Sequence, residues 1–317
     1  MTLRVSILDQ SPVVEGGTAA DALSATVDLA RSADQWNFTR YWVSEHHDVQ
    51  RFAGGAPEVL MASLLAQTRR LRIGSGGVLM PCRDPGRVTE SFRVLTDLHG
   101  ARVDLGIGRS RAPVALYAEQ IDAVRKQLCT GSGAQPEWWL LGMGALVAGT
   151  AARVGAGFCF GHFITPKGSK ETLEAYREGF ERGPGSPVPR GGLAVNVIVA
   201  DSAARADRLA EAFLLFRSHD NADSLFPSAE TVRWHRWTSA ERERAAVHRL
   251  SLMSGTAEQV APALHTLAEE HNVDELVINT VTHDYGERQR SFELLAEALE
   301  LTAGSERAAG CGTGRGR

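Results

Sequence analysis

LRIGSGGVLMPCRDPGRVTESFRVLTDLHGARVDLGIGR, residues 71–109, holds the alternation that decides the fold. Residues 71–79 form an apolar run that reads as a strand, 85–98 carry apolar residues at helical spacing, and 102–107 return to a strand pattern. The same rhythm extends upstream: 3–8 read as a strand ending in DQSP, 19–36 as a helix, 41–43 as a strand and 56–67 as a helix. Downstream it breaks over an irregular stretch, 110–135, then resumes with the strand WWLL at 138–141 and a helix to about 153. A strand at 156–160, a helix at 170–181, a strand at 193–199 and a helix at 203–216 follow. The last strand, 275–279, precedes a helix at 287–301.

Strands alternating with helices imply a parallel sheet with right-handed crossovers, and eight such units favour a closed (β/α)8 TIM barrel over an open sheet. No GxGxxG follows the first strand, which argues against the dinucleotide-binding open sheet. The excursion after the fourth strand is short, and a charged insertion over 220–249, with Trp234, His235 and Trp237, precedes the eighth strand. One domain over 1–302 accounts for the chain, and the Gly- and Arg-rich tail at 303–317 is expected to be disordered.

At 317 residues and 43% hydrophobic content the chain can bury a full barrel core. Lys plus Arg number 34 against 38 for Asp plus Glu, a net charge of -4 that offers neither a nucleic-acid footprint nor a polybasic membrane signal. Small-molecule chemistry is the remaining class. Cys82, Cys129, Cys159 and Cys311 form no CxxC pair, so reduced thiols in the cytoplasm are expected rather than a disulfide frame or a zinc site. The N-terminus runs almost directly into a strand, so neither export nor membrane insertion is expected.

Active groups of a TIM barrel gather at the C-terminal ends of its strands. The second strand ends in Ser44, Glu45, His46 and His47, where a histidine can serve as general acid or base and Glu45 can fix its tautomer or orientation. Adjacent strand positions face opposite ways, so His46 and His47 are badly placed to chelate one metal, and strand-capping hydrogen bonds are the bland alternative. Ser75, Gly76 and Gly77 interrupt an apolar strand, which marks either a barrel bend or a place where a flat ligand approaches the backbone. Arg109 follows the fourth strand beside small residues, as an anion contact would, or simply as a solvated side chain. His283 and Asp284 follow the last strand, where a turn role competes with a site role.

Taken in order, DQSP, YWVSEHH at 41–47, SGGVLMP at 75–81, RVDLGIGR at 102–109 and NTVTHD near the end resemble the bacterial-luciferase-like flavin monooxygenases, over nearly the whole chain. The SGG variant is similar to a subgroup of bacterial tailoring oxygenases, which implies secondary metabolism such as antibiotic biosynthesis, and the small-residue strand ends and Trp-containing insertion permit an aromatic or polyketide-like substrate. The resemblance implies reduced FMN delivered by a separate flavin reductase, reaction with O2, oxygenation of a small organic substrate, and a homodimer. By position it implies that His46 is the catalytic histidine, flanked by Glu45 and His47, that Ser75 to Gly77 carry the isoalloxazine, and that Arg109 holds the flavin phosphate. After the fifth strand such relatives usually offer hydroxyls and helix N-terminal amides to the phosphate; here Gly142, Met143 and Gly144 offer the amides alone. Arg111 and Arg125 are the nearby substitutes for a second phosphate arginine. An F420-dependent oxidoreductase and a non-catalytic flavin-binding relative are the alternatives. The helix APEVLMASLLAQ is apolar over most of its circumference, so the helices at 56–67 and 85–98 are the expected dimer face.

Overall fold

The computed structural model describes residues 3–301 apart from 48, 111–112, 131–132, 184–185 and 220–222. The 303–317 tail, Cys311 and Arg111 lie outside the described residues. The first half runs β1 (Arg4–Asp9), α1 (Ala19–Gln35), β2 (Arg40–Val43), α2 (Pro57–Gln67), β3 (Arg72–Ser75), β4 (Val78–Leu79), α3 (Pro85–His99), β5 (Val103–Gly108), α4 (Val114–Thr130) and β6 (Glu137–Gly142). The second runs α5 (Ala145–Val154), β7 (Gly157–Phe160), α6 (Ser169–Glu178), β8 (Gly191–Val199), α7 (Ala203–Ser218), α8 (Ala229–Trp234), α9 (Ser239–Arg249), β9 (Leu252–Gly255), α10 (Ala257–Glu270), β10 (Glu275–Asn279) and α11 (Tyr285–Ala298).

The parallel strands follow one another in the order β1, β2, β3, β5, β6, β7, β8, β10, and the ring closes where Arg4 of β1 stands beside Glu275 of β10. This is the eight-stranded (β/α)8 barrel that the alternation predicts. Short β4 continues the line of β3 along β5, with Val78 opposite Ile107.

Period-two alternation divides the side chains. Ile7, Tyr41, Ile73, Leu105, Leu140, Phe158, Val195 and Ile278 belong to the main apolar cluster shared with the surrounding helices. The other parity fills the barrel in layers. At the N-terminal end, Arg40 is fully buried and binds Glu275 (2.5 Å), Asp104 (2.8 Å) and Glu137 (3.1 Å). Above it lie Leu8, Trp42, Trp139, Cys159, Ala194 and Val277, with the two indoles edge to face at 5.5 Å. Glycines make room for them: a Cβ on Gly74 would stand 2.8 Å from Trp42, and one on Gly157 2.6 Å from Trp139. A charged plug and an indole layer therefore close the lower barrel, and open space remains only toward the strand C-termini.

Two sequence expectations are corrected. Within the stretch 110–135, expected to be irregular, Val114–Thr130 form a helix, because Tyr117, Ile121, Val124 and Leu128 bury one face of α4. The helix over 203–216 is not the crossover into the last strand. That role belongs to α10, whose Val260, Leu264, Leu267 and Ala268 join the main core. Helix α7 instead packs with Phe226, Val232 and Leu252 in a second cluster, seated on Val14, Ile198, Ala200 and Val281 beyond the ends of β1, β8 and β10. The insertion thus begins at α7 and builds, with α8 and α9, a cap over one side of the barrel mouth.

Candidate active site

A cavity of about 680 Å³ opens at the C-terminal ends of the strands, floored by Leu8, Trp42, Cys159, Ala194 and Val277. Its volume lies in the upper part of the roughly 300–1,000 Å³ that ligand sites occupy. Gly76, Gly77, Gly108, Gly142 and Gly161 line it, so on several neighbouring strands nothing larger than backbone fills the upper layer.

The end of β2 supplies the titratable wall. Ser44 Oγ lies 3.0 Å from Nδ1 of His46, and the His46 ring stacks on Phe52 with centroids 4.4 Å apart. Burial pushes the His46 imidazole down to about 4, with the charges of His47 and Arg51 adding to the effect. At neutral pH it is an uncharged imidazole, with one nitrogen engaged by a hydroxyl and the other left for a ligand. The histidine that Glu45 orients is His47, not His46. Glu45 accepts from Arg83 Nε (2.8 Å) and from the Leu79 amide (2.9 Å), and meets His47 Nε2 at 2.5 Å. It anchors the segment after the glycines. His47 is exposed and does not line the cavity.

The Gly76–Gly77 peptide is cis. A Cβ on Gly76 would meet Leu8 at 2.7 Å, and one on Gly77 the Gly106 carbonyl at 2.8 Å, so only glycine fits the shelf. Ser75 is buried beneath it, donating to the Gly106 carbonyl (2.8 Å) and accepting from the Gly106 amide (3.0 Å). Its hydroxyl therefore supports the shelf instead of facing a ligand.

Gly108 of β5 stands beside Leu141 of β6, so the register places Arg109 next to the turn Gly142, Met143, Gly144. All four line the cavity, and Gly144 caps the N-terminus of α5 with open space where a Cβ would be. A guanidinium beside helix N-terminal amides is the kind of arrangement that favours an anion. The Tyr117 hydroxyl, fully buried and without a partner, lies within electrostatic range of Arg109. Sequence reading missed Tyr117, although the apolar spacing of α4 was there to find.

Other candidates fall elsewhere. Arg125 lines a separate small cavity with Pro136 and Glu137 at the start of β6, away from the mouth, so it is no substitute phosphate ligand. His283 meets the Glu15 carbonyl at 3.0 Å, and Asp284 caps α11 by accepting from the Gly286 and Glu287 amides, which is the turn role. Cys82 and Cys129 are exposed free thiols and Cys159 is buried. Among the described residues no cluster of potential ligands could hold a metal ion, and no helix is long and apolar enough to cross a membrane. Arg217, in the last turn of α7, lines the cavity and carried no sequence signal, since a basic residue at a helix end ordinarily reads as a solvated charge.

The family model for luciferase-like monooxygenases matches residues 1–128 and 118–275. The chain is 36% identical to the uncharacterized protein YwcH of Bacillus subtilis (strain 168), covering 93% of this chain and 98% of the relative. With the N-acetyl-S-alkylcysteine monooxygenase of the same organism it shares 30% identity over 94% and 98%. The crystal structure of apo-MsnO8 superimposes with a TM-score of 0.83 at 33% identity, covering 95% of this chain and 99% of that one. Two remoter structures share the fold. One is the oxygenating constituent of 3,6-diketocamphane monooxygenase from Pseudomonas putida in complex with FMN (TM-score 0.68, 17% identity, 94% and 97% covered). The other is an F420-dependent secondary alcohol dehydrogenase (TM-score 0.69, 16% identity, 95% and 99% covered).

Proposed function

The chain belongs to the luciferase-like monooxygenase family, and from that premise we propose that it uses reduced FMN and O2 to oxygenate a small organic substrate in the cavity at the barrel mouth. The observation that carries this reading is the arrangement of three features on successive strands. Neutral His46 follows β2, the glycine shelf follows β3, and Arg109 follows β5 on the strand beside the one that leads into α5. A phosphate-bearing flat ring fits that order: ring against Gly76 and Gly77, phosphate between Arg109 and the amides after Gly142. The Tyr117 hydroxyl, buried behind Arg109 with no hydrogen-bond partner among the described residues, does not line the cavity.

When bound, reduced flavin supplies the electrons that activate O2. The protein orients, dries and moves protons. His46, uncharged at pH 7, can accept a proton at one nitrogen while Ser44 holds Nδ1, and return that proton once it has become the imidazolium. Phe52, Leu141 and Phe163 keep water from the ring face. We assign reduction of the flavin to a separate reductase, because no second nucleotide-binding unit adjoins the barrel among the described residues. The exposed thiols Cys82 and Cys129 suit a reducing cytosol. Helices α2 and α3, with exposed Val59, Val94 and Leu98, form our proposed homodimer face.

Anaerobic titration of the protein with reduced FMN, followed by mixing with oxygenated buffer, tests the reading. Saturable binding and slowed, multiphasic reoxidation relative to free flavin are expected. Reoxidation identical to free flavin would leave only a flavin-binding protein, and failure to bind FMN would direct the same titration to F420.

A further inference from the structure

Among the described residues, three arginines that are fully or largely withdrawn from solvent are each paired with a carboxylate. Arg40 holds Asp104 and Glu275, Arg288 holds Asp9 at 2.9 Å, and Arg190 holds Glu137 at 2.6 Å. Arg217 is different. Its Nε is buried without a hydrogen-bond partner, no carboxylate of the described residues lies within ion-pair distance, and its side chain lines the cavity. Its electrostatic neighbour is another cation, Arg51, whose guanidinium lies 4.8 Å from the Phe216 ring centroid. Withdrawing a guanidinium nitrogen from water without a partner is costly, and native structures tolerate it where a ligand completes the site.

Position separates this cation from the proposed phosphate site. Arg109 and the α5 N-terminus stand at β5 and β6, whereas Arg217 belongs to the cap seated on the ends of β1, β8 and β10, across the ring of strands. The cavity thus has two cationic poles with His46 and the glycine shelf between them. Phe52, Phe163 and Ile164 supply apolar wall beside the second pole. The Nε and Nη edge of a guanidinium matches the two oxygens of a carboxylate in a parallel fork, which a neutral group cannot reproduce.

We propose that the substrate is an organic acid with an apolar body, held by its carboxylate on Arg217 of the cap so that the body lies over the glycine shelf. This rests on the barrel mouth being the oxygenation site; it adds the chemical class of substrate and the residue that selects it. The cap then serves as a specificity element: it carries the anion receptor, while the barrel carries the flavin site.

The test uses 4-phenylbutyrate and its neutral amide, 4-phenylbutyramide, titrated calorimetrically into the full-length protein, the Arg217→Gln and Arg217→Lys variants, and Arg109→Gln. The wild type should bind the acid roughly tenfold or more tightly than the amide. Arg217→Gln should erase that preference, Arg217→Lys should keep part of it, and Arg109→Gln should keep it while losing affinity for reduced FMN. Equal binding of acid and amide by the wild type, no binding of either, or an acid preference that survives Arg217→Gln would overturn the proposal. Loss of FMN affinity in Arg217→Gln with no loss in Arg109→Gln would assign Arg217 to the flavin phosphate and overturn it as well. If the wild type prefers the acid but never binds reduced FMN, the flavin reading fails and the acid site stands.

Discussion

The Ser44 hydroxyl lies 3.0 Å from Nδ1 of His46, while the adjacent carboxylate, Glu45, turns away to Arg83. A neutral donor or acceptor at Nδ1 leaves the imidazole uncharged, where a carboxylate would have favoured the imidazolium. With burial, that choice of partner keeps the ring neutral at pH 7, the form that can accept a proton during reaction. His46→Ala is therefore expected to lower coupled product formation by about 10²–10⁴-fold with the fold retained, and Ser44→Ala by less. Product yield per flavin oxidised is the readout. Unchanged yield in His46→Ala would remove it from the chemistry.

Stability should fall in mild acid because of buried neutral histidines. Burial holds His46 and His162 at about 4, against 6.5 for an unperturbed imidazole. Between those values the unfolded chain binds more protons than the folded one. The stabilisation is thus complete above pH 6.5 and lost as pH drops toward 4. Urea denaturation at pH 7 and pH 5 should show the difference, and His162→Phe should flatten it. An unchanged slope in that variant would show that His162 does not titrate as described.

Glycines that look alike in sequence should behave differently. A Cβ on Gly106 would sit 2.0 Å from the Ser75 carbonyl oxygen, in contact with backbone that cannot yield, whereas Gly144 meets nothing within 4 Å. Gly106→Ala is expected to cost about 3 kcal/mol or more of stability. Gly144→Ala should cost about 1 kcal/mol or less, the difference between the two residues as a helix N-cap. Equilibrium denaturation of the two variants compares them directly, and similar losses would contradict the packing described.

At the barrel floor, Arg40→Met leaves Asp104 and Glu275 buried without their shared cation. Removing one partner from such a network costs about 3–5 kcal/mol. Part of the loss should return at low pH as the abandoned carboxylates take up protons. A variant as stable as the wild type at pH 7 would mean that the carboxylates find other partners.

Val59 and Leu98 are 72% and 71% exposed on α2 and α3. If these helices form the dimer face, Val59→Glu with Leu98→Glu should halve the sedimenting mass while circular dichroism stays that of a barrel. A wild type that sediments as a monomer would refute this face.

Residues at the strand ends were readable before any coordinates, because a parallel barrel puts the C-termini of its strands on one rim and periodicity locates those termini. His46, Gly76, Gly77, Arg109 and Gly142 to Gly144 reach one cavity for that reason. The cap was not readable. Helix α7 has the same amphipathic spacing as a crossover helix, and the true crossover, α10, carries Pro262 in its interior, which local rules count against a helix.

The sequence by itself determined the barrel and the rim positions, since both follow from local periodicity repeated along the chain. Only the tertiary structure decided which side chains meet. It turned Glu45 to Arg83, sent His47 outward, put Ser75 under the shelf, and brought Arg217 from the cap into the cavity without a carboxylate. Those outcomes depend on packing between segments far apart in the chain, and no local preference specifies such partners.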